Sequence, residues 1–277
     1  MPELPELELL KRDLEREVGE RKIKFVEVTA PSVAKHPNKK GLTAALEGVK
    51  LSGVTRQGML LIFHVEGEQL LVMSLGEHSR LTRNQPKDPV VTGTALVISF
   101  TQGGQLRLVD PKKEAAVELV AVEELEVLHP ELLTLGLDAI EEPISWLTFG
   151  ERLMSRDGKL KSILMDQTFL VGFGPIYSDE ILFHAGLRYD RNTSTLSAQE
   201  VRRLYRALVE TIHEAVKYGG TTLEPDGWVG LSGEPGDYLQ YIAVYKRDGH
   251  MSPRARGPIV KARFGGGYTY FCEQTQV

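Results

Sequence analysis

The hydrophobic pattern of this 277-residue chain changes near residue 121 from a region of mainly β-like runs to a region of mainly helical spacing. Before that point, short β-like runs alternate with turns that contain glycine, such as Glu66-Gly67-Glu68. After it, the apolar residues recur at helical spacing. We therefore predict an α+β protein whose first part is a β-sandwich. The predicted strands are residues 23–28, 49–54, 59–65, 69–75, 95–100, 105–109 and 116–120.

Helices are predicted on both sides of these strands. A leucine and valine pattern of helical spacing ends at Gly19 and predicts a first helix over residues 5–18. Ser145 is a potential N-cap, and Ser197-Ala-Gln-Glu200 has the pattern of a capping box. The later helices are predicted over residues 145–155, 159–167, 175–185 and 197–218.

Length and composition predict two ordinary domains with a connection between them. The chain is 42% hydrophobic, enough for a substantial core. Residues 122–143 are acidic and broken by prolines, which is typical of a crossing between domains. We predict a β-sandwich catalytic domain over residues 1–133, a linker over 134–144, a helical domain over 145–237 and a β-hairpin over 238–277.

Charge and cysteine content restrict the partners and the compartment. The net charge of −5 gives no overall positive field, so a polyanion site has to be a local patch. Six basic residues against one acid between Lys246 and Arg263 form such a patch, unless they are a solvated hairpin without a partner. A single cysteine, Cys272, excludes internal disulfides and suits a reducing cytoplasm. No apolar run is long enough to span a membrane.

The first eight residues, Met1-Pro-Glu-Leu-Pro-Glu-Leu-Glu8, contain a potential nucleophile. Removal of Met1 would turn Pro2 into a secondary amine, and an α-amino group titrates near ~7.7–8.0, so a useful fraction is unprotonated at neutral pH. Glu3 and Glu6 lie within reach and could move protons. The alternative is a plain helix start, with proline and acids in the first turn. While Met1 is attached, Pro2 is a tertiary amide and cannot act as a nucleophile.

Three separated stretches match one family. They are the N-terminal Pro-Glu-Leu-Pro-Glu-Leu-Glu, Leu164-Met-Asp-Gln-Thr-Phe-Leu-Val-Gly-Phe-Gly-Pro-Ile-Tyr-Ser-Asp-Glu180, and Val244-Tyr-Lys-Arg-Asp-Gly249. In order and spacing the chain resembles the formamidopyrimidine-DNA glycosylase and endonuclease VIII family of base-excision repair enzymes. The resemblance implies a β-sandwich with two helices, a helix-two-turns-helix domain and a finger-like hairpin, with DNA in the cleft between the domains.

The resemblance also implies a mechanism. The proline amine, here Pro2, attacks C1′ of a flipped-out nucleotide, and the strand is cleaved by β,δ-elimination through an iminium. Glu3 matches the acid that protonates the sugar oxygen, and Glu6 is retained. Lys161 and Tyr245 match DNA-contacting positions, and the hairpin cations could replace lost phosphate contacts: Arg254, Arg256, Lys261 and Arg263.

The chain departs from the family pattern at positions that touch DNA. The family's phosphate-binding lysine, histidine, asparagine and arginine correspond to Met59, Ser74, Pro175 and Gly267. Because charge-assisted contacts are worth ~1.5–3 kcal/mol each, duplex binding should weaken by several kcal/mol unless they are replaced. Two apolar wedge positions hold carboxylates, Glu77 and Glu114. Since a buried unpaired charge is unfavourable, either these loops open differently or the chain does not flip bases from a duplex.

The finger has lost its metal site. Its four zinc-ligand cysteines correspond to Ser252, Ala255, Cys272 and Thr275, and one thiol cannot hold a structural zinc. We therefore predict a zincless hairpin with no metal or cofactor, held by packing of Ile259, Phe264, Tyr268 and Tyr270.

The sequence thus predicts a monomeric, cytoplasmic DNA glycosylase and abasic-site lyase of altered specificity. Its expected partner is DNA that is damaged, abasic or single-stranded, and no membrane. The alternative is a catalytically inactive relative that binds nucleic acid or another partner and keeps the N-terminal motif because it packs the first helix.

Overall fold

The computed structural model describes residues 2–223 and 227–277, which group into two compact units. The first unit joins Met1–Leu133 to a later segment, Gly219–Leu239. The second contains Thr134–Tyr218 and Gln240–Val277. No helix among the described residues is long and apolar enough to cross a membrane.

The first unit contains two sheets. In chain order its strands are β1 (Ile23–Val28), β2 (Ala34–His36), β3 (Leu51–Gln57), β4 (Leu60–Val65), β5 (Gln69–Ser74), β6 (Arg80–Asn84), β7 (Thr94–Phe100), β8 (Gln105–Val109) and β9 (Ala116–Ala121). One sheet has the order β1-β7-β8-β6 and is antiparallel. The other has the order β2-β9-β5-β4-β3, in which only the β2–β9 pair is parallel.

One hydrophobic core lies between these sheets and a helix. Helix α1 (Leu4–Val18) begins with proline and acid in its first turn and buries its leucine face. Leu10 of α1, Phe63 of β4 and Leu96 of β7 are each at most 1% exposed and belong to the same core cluster. Both sheets therefore contribute to a single interior, which confirms the predicted β-sandwich with its leading helix.

Four short elements of this unit gave little pattern in the sequence. Strand β6 buries only Leu81, so it has no alternation to detect. Helix α2 (Lys39–Leu46) has eight residues and is anchored by Leu42 and Leu46; only the family resemblance implied a second helix. Strand β2 and helix α3 (Leu125–Leu128) have three and four residues.

The second unit is helical and ends in a hairpin. Its elements are α4 (Trp146–Met154), α5 (Leu160–Leu164), α6 (Pro175–Ala185), α7 (Ala198–Lys217), and the antiparallel pair β10 (Val260–Phe264) and β11 (Gly267–Phe271). Ser145 and Ser197 cap α4 and α7 as predicted. Helix α5 is shorter than predicted, because the Asp166 carboxylate accepts from the Thr168 N–H and turns the chain.

The segment Gly219–Leu239 packs with the first unit, whereas the sequence placed it in the helical domain 145–237. Leu231 is 2% exposed within the β-sandwich core, and its carbonyl accepts from the Arg83 N–H at 2.7 Å. Sequence proximity to α7 suggested the helical domain, but these contacts are long-range and left no pattern in the segment itself.

Two adjacent buried carboxylates of α6 hold the hairpin region. Asp179 accepts from Lys161 Nζ at 2.6 Å, Thr269 Oγ1 at 2.5 Å and the Tyr270 N–H at 3.0 Å. Glu180 accepts from three successive backbone N–H groups, those of residues 243–245, at 2.7 to 2.9 Å. Buried acceptors with several donors each fix the strands to α6 without a metal.

Packing of the hairpin matches the prediction except at Tyr268. Ile259 and Tyr270 lie in a buried cluster with Cys272, and Phe264 contacts Tyr189 edge-on at 5.4 Å between centroids. Tyr268, in contrast, is 46% exposed. It stands next to the turn of the hairpin and contacts Lys261 of β10, so it does not belong to the buried cluster.

Glu180 should make the stability of the second unit depend on pH. Burial raises its pKa to about 7 from an ordinary value of 4.5, although three N–H donors act in the opposite direction. The folded state therefore holds the proton more tightly than the unfolded chain does. Stability should fall as pH rises from about 4.5 to 7, by up to roughly 3 kcal/mol, and then level off.

This dependence can be isolated by comparing wild type with Glu180→Gln, which cannot titrate there. Urea unfolding at closely spaced pH values measures the free energy of unfolding of each protein. The difference between the two free energies should change only between about pH 4.5 and 7. Parallel pH profiles for wild type and variant would contradict the assignment.

Candidate functional site

The N-terminus of α1 is fixed by one buried carboxylate. Glu3 is the N-cap residue, and its N–H donates to Glu6 Oε2 at 2.9 Å. The other oxygen of Glu6 accepts from the Thr221 N–H at 2.8 Å. Glu6 is 1% exposed. It therefore joins the start of the helix to the segment Gly219–Leu239 and positions the residues just before it.

Pro2 and Glu3, the predicted nucleophile and acid, precede the first turn of α1 directly. Pro2 is buried and Glu3 is 3% exposed. They stand at the end of the helix where unpaired N–H groups favour negative charge. Met1, whose removal would free the Pro2 amine, lies outside the described residues. The structure thus presents two of the three predicted catalytic side chains from one fixed backbone segment, with the third as its anchor.

Gly220 allows the close approach that this anchor needs. Its φ is +78°, and a Cβ there would lie 3.0 Å from Glu6 Oε1 and 3.1 Å from Trp228 Cζ3. Any side chain would be strained in conformation and would press on the Glu6 carboxylate. Glycine is therefore required beside this site.

A buried ion pair supports the turn that carries Met59. Glu8 accepts from Arg12 Nε at 2.8 Å and from Arg56 Nε at 3.3 Å. Arg56 Nη1 also donates to the Gly58 carbonyl at 3.1 Å. Met59 itself is half-buried and packs on the core. The position thus contributes an apolar contact and no cation.

The loops that carry Glu77 and Glu114 are fastened to each other. The Glu114 carboxylate accepts from the His78 N–H at 2.9 Å and lies 3.2 Å from His78 Nδ1. Asp110 accepts from Ser79 Oγ at 3.1 Å and from the N–H groups of Glu114 and Ala115 at 3.0 Å. The backbone bond from His78 is the main reason that the pKa of Glu114 is lowered. Glu77 is exposed in the adjacent turn.

Two predicted DNA-binding residues are engaged within the second unit. The Lys161 ammonium is 1% exposed and lies between Asp179 and the Tyr268 carbonyl. Arg254 Nη1 donates to the carbonyls of Phe183 and His184 at 3.0 Å each, which satisfies the end of α6. Both have structural partners, so their roles toward DNA remain predictions.

The other predicted hairpin residues differ in exposure. Arg256, Lys261 and Arg263 are exposed, and Tyr245 is half-buried with its ring edge-on to Tyr270 at 5.2 Å. Gly267 begins β11 and is exposed; Pro175 is the first residue of α6, where its missing N–H costs nothing. Ser74 ends β5 between Leu60 and Ala116.

Comparison with known proteins identifies the family. Residues 1–117 match the formamidopyrimidine-DNA glycosylase N-terminal domain, and residues 135–226 match the formamidopyrimidine-DNA glycosylase H2TH domain. The formamidopyrimidine-DNA glycosylase of Pelotomaculum thermopropionicum is 31% identical, over 100% of this chain and 99% of that protein. The chain belongs to the formamidopyrimidine-DNA glycosylase family.

Solved structures of the family share the fold along the whole chain. MutM (Fpg) from Thermus thermophilus has a TM-score of 0.87 at 32% identity, covering 99% of this chain and 98% of that one. The Lactococcus lactis Fpg in complex with DNA that contains an abasic site has a TM-score of 0.88 at 27% identity, covering 99% of each chain. These relatives confirm the family resemblance seen in the three sequence stretches.

The positions of the four expected zinc ligands remain together although three are no longer cysteines. Cys272 is fully buried, and Ala255 packs against its cluster. Burial raises the pKa of the Cys272 thiol, but the hydroxyls of Ser252 and Thr275 and nearby backbone N–H groups outweigh it, so the pKa is lowered. Among the described residues, no group of three or more His, Cys, Asp or Glu side chains could hold a metal.

Some important residues were not identified as site residues from the sequence. Glu180 and Asp179 lie within the stretch that carried the family resemblance, but only the structure shows what they hold. Asp110 stands in an Asp-Pro turn, which predicts a local cap and not a bond to Ser79. Thr221 acts through its backbone N–H, for which no side-chain signal exists.

Proposed function

We propose that this chain is a DNA glycosylase and abasic-site lyase of base-excision repair that acts through the Pro2 amine once Met1 is removed. The observation that carries the proposal is the buried Glu6 carboxylate, which holds the Glu3 N–H and the Thr221 N–H and so fixes Pro2 and Glu3. Support also comes from the relatives named for glycosylase activity and from the Lactococcus lactis structure with abasic DNA.

The proposed reaction needs only these residues and water. The Pro2 nitrogen attacks C1′, a C1′–N bond forms, and the base leaves with the electrons of the glycosidic bond and takes up a proton from water. The Pro2 nitrogen then gives its own proton to water, which frees its lone pair. Glu3 then gives a proton to O4′ as the C1′–O4′ bond breaks, which leaves an iminium. Loss of a C2′ proton expels the 3′ phosphate, a second elimination expels the 5′ phosphate, and water releases the sugar fragment and restores the amine.

Altered substrate specificity is part of the proposal. Where the family resemblance implies apolar wedges, Glu77 is exposed and Glu114 is bonded to His78. Inserting either carboxylate into a base stack would bury a charge, and for Glu114 it would also break bonds to the neighbouring loop. We therefore expect preference for substrates whose damaged nucleotide is already unstacked, such as abasic or single-stranded DNA.

Borohydride trapping on abasic DNA tests the lyase step. Methionine-processed wild type should form a covalent adduct, Pro2→Gly should lose it, and Glu3→Gln should slow its formation by about 10²–10⁴-fold. Pro5→Ala, one helical turn away in the same motif, is the matched control and should trap like wild type. Mass spectrometry of the N-terminus establishes that Met1 is absent from each protein.

An adduct that is absent from processed wild type, or retained in Pro2→Gly, would overturn the proposed chemistry. The second candidate is then a non-catalytic relative that binds nucleic acid or another partner. It is favoured by Met59, Ser74, Pro175 and Gly267, which stand where the family resemblance implies phosphate-binding side chains. Binding to DNA that falls with rising salt, without any trapping, would identify this case.

A further inference from the structure

The two faces of the β10–β11 hairpin have different surroundings. In the strand register Ala262 lies opposite Thr269, and Thr269 is fully buried and bonded to Asp179 of α6. Lys261 lies opposite Tyr270, and Arg263 lies opposite Tyr268. Because side chains alternate along a strand, the buried Tyr270 shares the face opposite to Thr269 with three exposed side chains, those of Lys261, Arg263 and Tyr268. We call these three residues the outer face of the hairpin.

Aromatic rings and cations alternate across this outer face and its neighbours. The Lys261 ammonium lies 4.0 Å from the centroid of Tyr268 and 5.6 Å from that of Tyr270. Tyr270 in turn meets Tyr245 edge-on, and the Lys246 ammonium lies 5.8 Å from the Tyr245 ring. Neither Lys261 nor Arg263 forms an ion pair with an acid of residues 2–223 or 227–277. Their charges remain available to a ligand.

The platform beneath this face is rigid. Asp179 holds Thr269 and Tyr270 from the side of α6, and Phe271 packs on Tyr189 at 5.0 Å between centroids. The exposed Tyr268 ring is therefore presented by a strand whose next three residues are buried. A side chain held this way loses little conformational freedom when a ligand binds to it.

We propose that the outer face binds single-stranded DNA, with an unstacked base on Tyr268 and neighbouring phosphates on Lys261 and Arg263. An exposed aromatic ring beside cations that pair with no acid of the described residues matches a strand that offers both base faces and phosphates. A duplex keeps its base faces stacked inside and offers the ring nothing to stack on. The acidic whole chain, at −5, makes this local cationic surface the part that a polyanion would approach. The inference rests on DNA as the ligand in the proposed function, but not on the lyase step.

Fluorescence anisotropy with undamaged DNA tests it, using a labelled dodecathymidine strand and a 12-base-pair duplex over a salt series. Tyr268→Leu should weaken binding of the single strand about five- to a hundredfold and change duplex binding less than about twofold. Lys261→Ala should weaken single-strand binding and lower the steepness of the log K against log salt plot by about 0.7. The matched controls are Phe25→Leu, an exposed aromatic of the first unit, and Lys40→Ala, an exposed lysine of α2; both should bind like wild type.

Three results would overturn the inference: no detectable binding of the single strand by wild type, a loss below fivefold for Tyr268→Leu, or an equal loss on strand and duplex. An equal loss would mean that the hairpin contacts the phosphate backbone of single-stranded and duplex DNA alike. Since the probe has no abasic site, this experiment can fail while borohydride trapping succeeds, and the reverse.

Discussion

Replacing Asp179 by asparagine is expected to lower the free energy of unfolding by about 3–5 kcal/mol, the usual cost of leaving one member of a buried ion pair without its partner. Lys161 and Asp179 are each 1% exposed and lie 2.6 Å apart. Asparagine keeps the shape but removes the charge, and its single oxygen can accept from Thr269 or from Tyr270 but not from both, since these donate to different oxygens of Asp179. The Lys161 ammonium would then be buried against a neutral group, and the hairpin would lose its firmest attachment. Urea unfolding followed by circular dichroism measures the loss.

The matched control removes both charges at once. Lys161→Met with Asp179→Asn leaves no buried ion, so most of the lost stability should return. Two results would contradict this explanation. One is a free energy of unfolding for Asp179→Asn within about 1 kcal/mol of wild type. The other is a double variant that loses as much stability as the two single variants together. The double variant also addresses the prediction that Lys161 contacts DNA: normal folding with weakened DNA binding would support that contact.

Placing cysteines at the three other positions that the family resemblance assigns to zinc ligands should create a zinc site. The variant Ser252→Cys, Ala255→Cys and Thr275→Cys would place thiols beside Cys272 at positions that already neighbour one another. Four thiolates are a complete structural zinc set. We expect one zinc per chain and a stabilisation on the order of 4 kcal/mol at a free zinc concentration a thousand times the dissociation constant. Metal analysis gives the stoichiometry, and thermal unfolding with and without a chelator gives the stabilisation.

The control for this variant adds Cys272→Ser, which leaves three thiols and should bind zinc much more weakly. Wild type should show no response to the chelator. A triple variant that binds no zinc, or whose unfolding temperature is insensitive to chelation, would show that the four positions do not have the geometry of a zinc site. A positive result would establish that the hairpin keeps its backbone geometry by other means, with Glu180 and Asp179 as the evident ones.

The fold was predictable where residues form regular local patterns. The leucine face of α1, the serine caps of α4 and α7 and most strands of the sandwich follow from periodicity and capping, because these depend on neighbours in sequence. Periodicity did not reveal strand β6 or helix α2, because each buries only one or two side chains; only the family resemblance implied a second helix. Tyr268 was predicted to pack and is exposed, although Tyr270 on the same strand face is buried, because strand alternation does not say how far along the strand the covering residues extend.

The candidate site shows the same division. By itself the sequence determined the family and the position of Pro2 and Glu3 before a helix, since these are statements about residue type and order. The absence of zinc ligands and of phosphate-binding side chains at the expected positions stays a prediction from the family resemblance. Only the tertiary structure decided which groups carry the site: Glu6 bonded to the Thr221 N–H, Glu114 to His78, and Lys161 to Asp179. Each of these bonds joins residues far apart in the chain. Their pairing depends on distances set by the packed sheets and helices, and no local pattern records it.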